Sequence, residues 1–375
     1  MDFSLREEQA MLEDSVEKFI TNDYDFETRQ KYAGSETGFS ADVWQQFAEL
    51  GWTAVPFGED DGGFGWGPVE VMLIMRQFGR GLVVEPYLAN VVLAGGVLRR
   101  AADMAQKAEW LAPVIGGEKQ AALAHVEPQS RYELASVATT AVADGDDVIL
   151  SGHKSVVLNG GTADFVVVSA RISGDRNDRD GISLFVVPAD AAGVSRKAYP
   201  TVDGMQAAEI ILDGVRIPAA NLLGDAGTGF DTVDAVMLEA TLAVCAEAVG
   251  IMQIMTHKTV EYSKSRVQFG VPIGSFQALQ HRMVDMLTAC EQSYSLLLWA
   301  TMLAANGLDD EARRAVSSIK YQIGTAGKKV GQEAVQLHGG MGVTWELDIA
   351  HYFKRLTAIG QLFGNADYHL DRLAA

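Results

Sequence analysis

The sequence is poor in cysteine, with only Cys245 and Cys290 in 375 residues. Both fall in apolar helical patterns, so they read as buried free thiols rather than a disulfide or a metal pair. Positive charge is also scarce. Lysine and arginine number 30 against 49 acidic residues, a formal net charge of −19. That balance disfavours nucleic acid as a partner, because phosphate-backbone binding needs a concentrated basic face. It also fits an anionic membrane badly. A phosphorylated small ligand held by a few local cations stays open. The opening residues, MDFSLREEQ, are acidic and contain no apolar signal region. No run reads as long and apolar enough to cross a bilayer. A soluble cytoplasmic protein is the expectation. Apolar residues are not scarce: 48% hydrophobic and 8% aromatic content supports a large buried interior. The length suggests two or three domains.

The periodicity changes twice along the chain. Residues 1–118 read mostly as helices. Met11, Val16, Phe19 and Ile20 form one apolar stripe, and Val43, Trp44, Phe47 and Leu50 another. Ser40 stands where an N-cap belongs, and Gly51 closes the second stripe. Residues 58–67, GEDDGGFGWG, are dense in glycine but carry three acids and no lysine, so they read as a loop and not a phosphate cradle. Residues 119–228 change to short apolar or alternating runs at 121–126, 137–142, 148–151, 165–170, 182–187 and 208–212. Turn pairs such as Asp144-Gly145 and Asp213-Gly214 separate them, which predicts a small antiparallel β domain. The polar stretch 173–181 reads as a solvated hairpin tip. Residues 229–375 return to long helical patterns at 232–265, 277–306, 309–336 and 347–372, rich in alanine, leucine and methionine, as in a bundle. The fold class is α+β.

Two motifs carry chemistry. In residues 262–286, Arg266 and Phe269 close one helix, Gly270, Pro272 and Gly274 break the chain, and Phe276, Leu279, Met283 and Met286 resume a helical repeat. Gln277 opens that second helix. A lone pattern of this kind is an ordinary helical corner with a surface arginine. The second motif, QLHGGMGVTWE at residues 336–346, raises its weight. Gly339 and Gly340 let a backbone approach a bulky ligand, and Gln336 both donates and accepts hydrogen bonds. His338 between them either joins that site or caps a helix, and the cap is the simpler reading.

With their order, their separation and the basic segment 352–355 that follows, these motifs resemble the acyl-CoA dehydrogenase family. The resemblance covers nearly the whole chain and is weakest in its middle third. The carboxyl-terminal run from His351 also resembles the small subunits of bacterial pimeloyl-CoA dehydrogenases. The family implies an N-terminal all-α domain, a middle antiparallel β domain and a C-terminal four-helix bundle. It implies a bound FAD, an acyl-CoA substrate, a tetramer of like or homologous subunits, and an electron-transfer flavoprotein as acceptor. In the family's reaction a carboxylate removes the α-proton while hydride passes from Cβ to the flavin. One subunit cradles the flavin ring. Its neighbour reaches over with residues that here are Arg266, Phe269, Gln277, Gln336, Gly339 and Gly340. An arginine suits a pyrophosphate because its planar fork is always charged.

The other half of the pattern departs. In HVEPQSRYE, Val126 stands where relatives carry threonine, and Arg131-Tyr132-Glu133 replaces Gly-Ser-Asp. In KSVVLNGG, Val156 and Leu158 replace an aromatic and a threonine or serine that meet the flavin. Their side chains offer no hydrogen bond, which leaves the backbone amides. The family's glutamate before Gly-Thr corresponds, counting from Arg355, to Gly364, whose amide is left to polarise a thioester. A second known place for the base falls at Ala240, beside Glu239. Glu239 shares a helical stripe with Ala243, Ala246 and Gly250, which makes it the catalytic candidate; a surface glutamate is an equal reading. Glu247 lies off that stripe and reads as solvated. Three functions remain open: one subunit of a hetero-oligomeric dehydrogenase, a self-sufficient homotetramer with Glu239 as base, or a non-catalytic subunit of the same fold.

Overall fold

The computed structural model of the chain describes residues 4–374. Helices, then strands, then helices again follow along the chain. The compact units are drawn across that order. A helical unit gathers the chain up to Lys31, Gly67–Val83 and everything from Thr241. A sheet unit gathers Tyr32–Trp66 and Val84–Ala240.

The first helix, Glu7–Asp23, buries Leu12, Val16 and Phe19 at helical spacing. Met11, expected in that stripe, is 66% exposed. Ser40 caps Ala41–Glu49 as its position predicts, its hydroxyl accepting the Val43 amide at 3.3 Å. Gly51 follows in the left-handed region at φ 77°, where an L side chain is strained.

In the sheet unit the strands are β1 (Ala121–Ala124), β2 (Thr140–Asp144), β3 (Asp147–Leu158), β4 (Phe165–Arg171), β5 (Ile182–Pro188), β6 (Val194–Pro200), β7 (Gln206–Pro218) and β8 (Leu222–Leu223). Their order is β6-β7-β3-β2-β4-β5-β8, with β1 also on β4. Most pairs are antiparallel, as short turns require. The exceptions are β1 against β4 and a single contact of β2 with β4, both parallel. Strand β6 has no counterpart in the expected set. Leu150, Val157, Val166, Val168, Phe185, Ile210 and Leu212 face one another in a single apolar cluster. Strand β3 bulges between Lys154 and Val157, and Val156 in that bulge has φ 51°. A positive φ is rare for a β-branched residue.

In the helical unit the long segments are Gly229–Ser265, Gln277–Asn306, Asp310–His338, Asp348–Ile359 and Ala366–Ala374. The first passes into this unit at Thr241. Helix Pro68–Gly81 lies backbone to backbone against it. A Cβ on Gly79 would fall 2.1 Å from the Glu247 carbonyl oxygen, and one on Gly250 would fall 1.9 Å from that of Arg76. The expected last helix breaks after Ile359, where Gly360 and Gly364 interrupt it. Helix Gly229–Ser265 corrects another expectation: it is long and apolar enough to cross a membrane, with a mean hydropathy of 1.8 over its most apolar window. That window is 89% buried inside the protein, which marks it as a core helix. Cys245 and Cys290 are buried free thiols.

Candidate active site

The motif residues gather at one end of the helical unit. The ring of Tyr262 stacks on that of His338 with centroids 4.4 Å apart, which joins the end of the long helix to the end of Asp310–His338. Arg282 Nε donates to Glu333 Oε2 at 2.5 Å and ties helix Gln277–Asn306 to the same end. His338 serves that joint: it is buried at the helix terminus, with Nδ1 2.8 Å from the Ala334 carbonyl oxygen. Between the first two helices, Val267–Gln268 pairs with Val271–Pro272 in a two-residue hairpin. Phe269 and Gly270 at its tip have φ of 54° and 83°, the double left-handed geometry of a type I′ turn. That turn prefers Asn-Gly. Placing phenylalanine there costs about 1–2 kcal/mol. The result is an aromatic ring 94% exposed, braced edge-on by Phe276 at 6.2 Å. Strain of this kind concentrates where a surface is used.

Arg266, Gln277 and Gln336 are exposed around the hairpin. Among the described residues no side chain pairs with any of the three. Gly339 has φ 61° and ψ −140°, open only to glycine. A Cβ on Gly339 or Gly340 would meet nothing within 4 Å. The space beside both glycines is therefore free for a group that is not this chain.

In the sheet unit, Val126 directly precedes Glu127, and Val156 and Leu158 follow Lys154 along the same strand; Glu127 and Lys154 form a buried ion pair. Glu127 receives Lys154 Nζ at 2.7 Å, Thr139 Oγ1 at 2.7 Å, and the Ala138 and Thr139 amides at 2.8 and 3.0 Å. Burial alone would raise its pKa. The Lys154 charge and the four donated bonds outweigh burial and hold it at about 2. Burial draws the fully enclosed Lys154 ammonium down to about 8 despite Glu127. His125, buried beside them against Ser169, falls to about 3 for the same reason. The Val126 carbonyl is taken by the Ser155 amide at 2.9 Å. Val156 is 46% exposed and Leu158 half-buried. The network fixes the shape of this surface without giving it a polar side chain at those three positions. Sequence reading passed over Lys154 because its partner lies 27 residues away on another segment.

The two places named for a catalytic carboxylate differ in their surroundings. Glu239 accepts Arg99 Nη2 at 2.8 Å and Arg100 Nη2 at 2.5 Å. Both carboxylate oxygens are engaged by these guanidinium groups, which hold the side chain as a tether. At Gly364, φ is 108°. A Cβ would fall 2.4 Å from Tyr368 Cδ1 and 2.6 Å from His369 Nε2. The space a residue-364 side chain needs is thus filled by the chain itself. Lys320, fully buried, donates to the carbonyls of Gly364 at 2.7 Å and Ile359 at 2.9 Å and locks the corner. Glu247 corrects the solvated reading. It is 5% exposed, and its carboxylate takes Arg355 Nε at 2.5 Å and Nη2 at 2.7 Å. The partner is 108 residues distant, so no local pattern announces it.

Three sequence profiles match the chain in succession: the acyl-CoA dehydrogenase N-terminal domain at residues 6–118, the middle domain at 122–215 and the C-terminal domain at 227–375. The pig mitochondrial short-chain specific acyl-CoA dehydrogenase is 30% identical over 84% of this chain and 78% of its own. The chain belongs to the acyl-CoA dehydrogenase family. The probable acyl-CoA dehydrogenase YngJ of Bacillus subtilis is 28% identical over 96% of each chain. Among solved structures, a chain of the ChsE4-ChsE5 complex from Mycobacterium tuberculosis superposes with a TM-score of 0.90 at 26% identity, covering 100% of this chain and 98% of that one.

FAD is the cofactor of acyl-CoA dehydrogenases; when bound it would supply the hydride acceptor. The two parts of this chain fit it unequally. The hairpin end fits: an unpaired guanidinium, two free carboxamides and two unobstructed glycines suit a pyrophosphate and its adenosine. The surface at Val126, Val156 and Leu158 offers only backbone groups to a polar ring edge.

Proposed function

We propose that this chain works as one subunit of a hetero-oligomeric acyl-CoA dehydrogenase and lends its hairpin end to an FAD whose ring rests mainly on an unlike homologous neighbour. FAD-dependent dehydrogenation of an acyl-CoA thioester is the family's reaction. The unequal roles of the subunits are the finer part of the reading. One contrast carries it. Arg266, Phe269, Gln277, Gln336, Gly339 and Gly340 stand free, whereas Glu239 is held by two arginines and the place of a residue-364 carboxylate is filled. A chain keeping what serves a neighbour and closing what would serve itself is what a heteromer with one complete flavin site per unlike pair requires. The ChsE4-ChsE5 complex is a two-component assembly of this fold, which supports the reading. Within it, an electron-transfer flavoprotein is the acceptor and the cytoplasm the compartment.

The visible spectrum tests the proposal. Purified alone, the chain should carry little flavin. Co-expressed with its unlike homologue, it should co-purify yellow, with about one FAD per pair, and bleach on adding acyl-CoA. A full complement of FAD on the isolated chain, reduced by thioester, would overturn it.

A further inference from the structure

A short way along the chain from the two open glycines lies an aromatic ring to which the proposed function gives no role. Trp345 follows the turn Gly339–Val343 and is 65% exposed. An indole carries one of the largest apolar surfaces of any side chain, and leaving it in water forfeits the gain of burying it. It is nevertheless held in place. His351 Nε2 lies 3.1 Å from the Trp345 carbonyl oxygen, and its ring meets the indole edge-on at 4.7 Å. Phe26 braces the histidine from behind at 5.0 Å. Lys354 places its ammonium 4.4 Å from the indole centroid, within cation–π range. The result is a fixed aromatic plate with a cation over one face and the other face left for a ligand, on the segment that bears Gly339 and Gly340.

We propose that Trp345 is a stacking platform for the adenine of an adenosine diphosphate moiety, bound with its phosphates toward the open glycines and Arg266. Three features of the surface match three parts of that moiety. The indole offers a flat face to a purine. The glycines leave room for the sugar-phosphate backbone. The cations Arg266 and Lys354 offset its charge, on a chain whose net charge of −19 would otherwise repel it. Base–aromatic stacking contributes about 1–3 kcal/mol per base. This inference rests on the functional reading above, because that reading brings FAD to this end of the molecule. Coenzyme A carries the same moiety, so the two sources need separate arms.

The experiment measures ligand affinity in whichever assembly of the chain holds flavin, with Trp345→Leu and Trp345→Phe beside the parent. FMN lacks the adenosine, and an acyl-pantetheine lacks it on the substrate side. Trp345→Leu should weaken FAD by roughly 5- to 160-fold, the range that stacking free energy sets. FMN should bind as before, and Trp345→Phe should restore most of the loss. If instead acyl-CoA weakens while FAD and acyl-pantetheine do not, the platform holds the coenzyme's adenine and the inference stands with that source. Equal losses for FAD and FMN, or no loss for any ligand, overturn it. So does a Trp345→Leu chain that no longer assembles in gel filtration, because the indole would then be packing against protein. Should the parent take up no flavin in any assembly, the functional reading fails and this inference with it. Should the parent bind FAD normally and Trp345→Leu match it for FAD and acyl-CoA alike, only this inference fails.

Discussion

Gly364 offers the sharpest test of the closed site. Consider Gly364→Ala. The added Cβ would lie 2.4 Å from Tyr368 Cδ1, 2.6 Å from His369 Nε2 and 2.9 Å from His369 Cδ2. Carbon contacts begin near 3.5 Å, so one group must move by about an ångström. His369 resists, being 3% exposed with Nε2 bonded to the Phe363 carbonyl at 3.0 Å. The backbone resists too, because Lys320 holds the Gly364 carbonyl at 2.7 Å. Overpacking of a tight site costs about 1–3 kcal/mol. A φ of 108° on an L residue adds about 1–3 kcal/mol. The expected loss is therefore about 2–6 kcal/mol, or roughly 4–12 °C in thermal midpoint at about 2 °C per kcal/mol. Differential scanning fluorimetry at one scan rate reads it. Combining Gly364→Ala with His369→Ala should return the share of the packing cost due to His369, but neither the Tyr368 clash nor the backbone part, and a double-mutant cycle would show that coupling. Gly364→Glu should be at least as unstable as Gly364→Ala and gain no α-proton abstraction. A Gly364→Ala midpoint within 1 °C of the parent would show that the corner yields freely, and the argument for a closed site would go with it.

Other perturbations follow from the same geometry. Glu239→Gln should leave substrate bleaching of flavin nearly unchanged in stopped flow, whereas removing a true general base costs about 10²–10⁴-fold; a loss of that size would return Glu239 to the role of base. Arg355→Met should lower stability by about 3–5 kcal/mol, since Glu247 would stay buried and charged, and Glu247→Leu in the same chain should recover most of it. Phe269→Asn should stabilise the isolated chain by about 1 kcal/mol by suiting the type I′ turn while weakening FAD uptake by the assembly. Acid should destabilise the fold. Burial holds His125 at about 3 and His369 at about 4, below the ordinary 6.5. The unfolded chain therefore takes up protons that the native one refuses, so stability is full above pH 6.5 and falls as pH drops toward 4 and 3. Midpoints measured from pH 7 to 5 should decline, less steeply in His369→Gln.

What sequence reasoning reached and missed divides along a physical line. Features set by local chemistry came through: the Ser40 cap, the glycine corners, the helical spacings and the motif residues that Tyr262 and His338 bring to one end. Strand β6 escaped because it is an edge strand. Its burial is slight, with Arg196 and Lys197 at its centre, and polar edge strands avoid the alternation that reveals a half-buried one. The long helix Gly229–Ser265 did not read as a possible membrane span because scattered acids break its run, although its average hydropathy is high. Glu247 and Lys154 escaped for a different reason. Each is a charge in an apolar setting that makes sense only beside a partner far along the chain. A solvated glutamate and a buried paired one look the same in a helical pattern. The same blindness limited the site. Composition showed that Gly364 cannot act as a base, but not that Tyr368 and His369 occupy the volume a replacement would need. It showed that Glu239 is a carboxylate near small residues, but not that Arg99 and Arg100 claim it. The proposal that this chain serves a neighbour's flavin began with missing side chains, and it draws equally on the occupied ones.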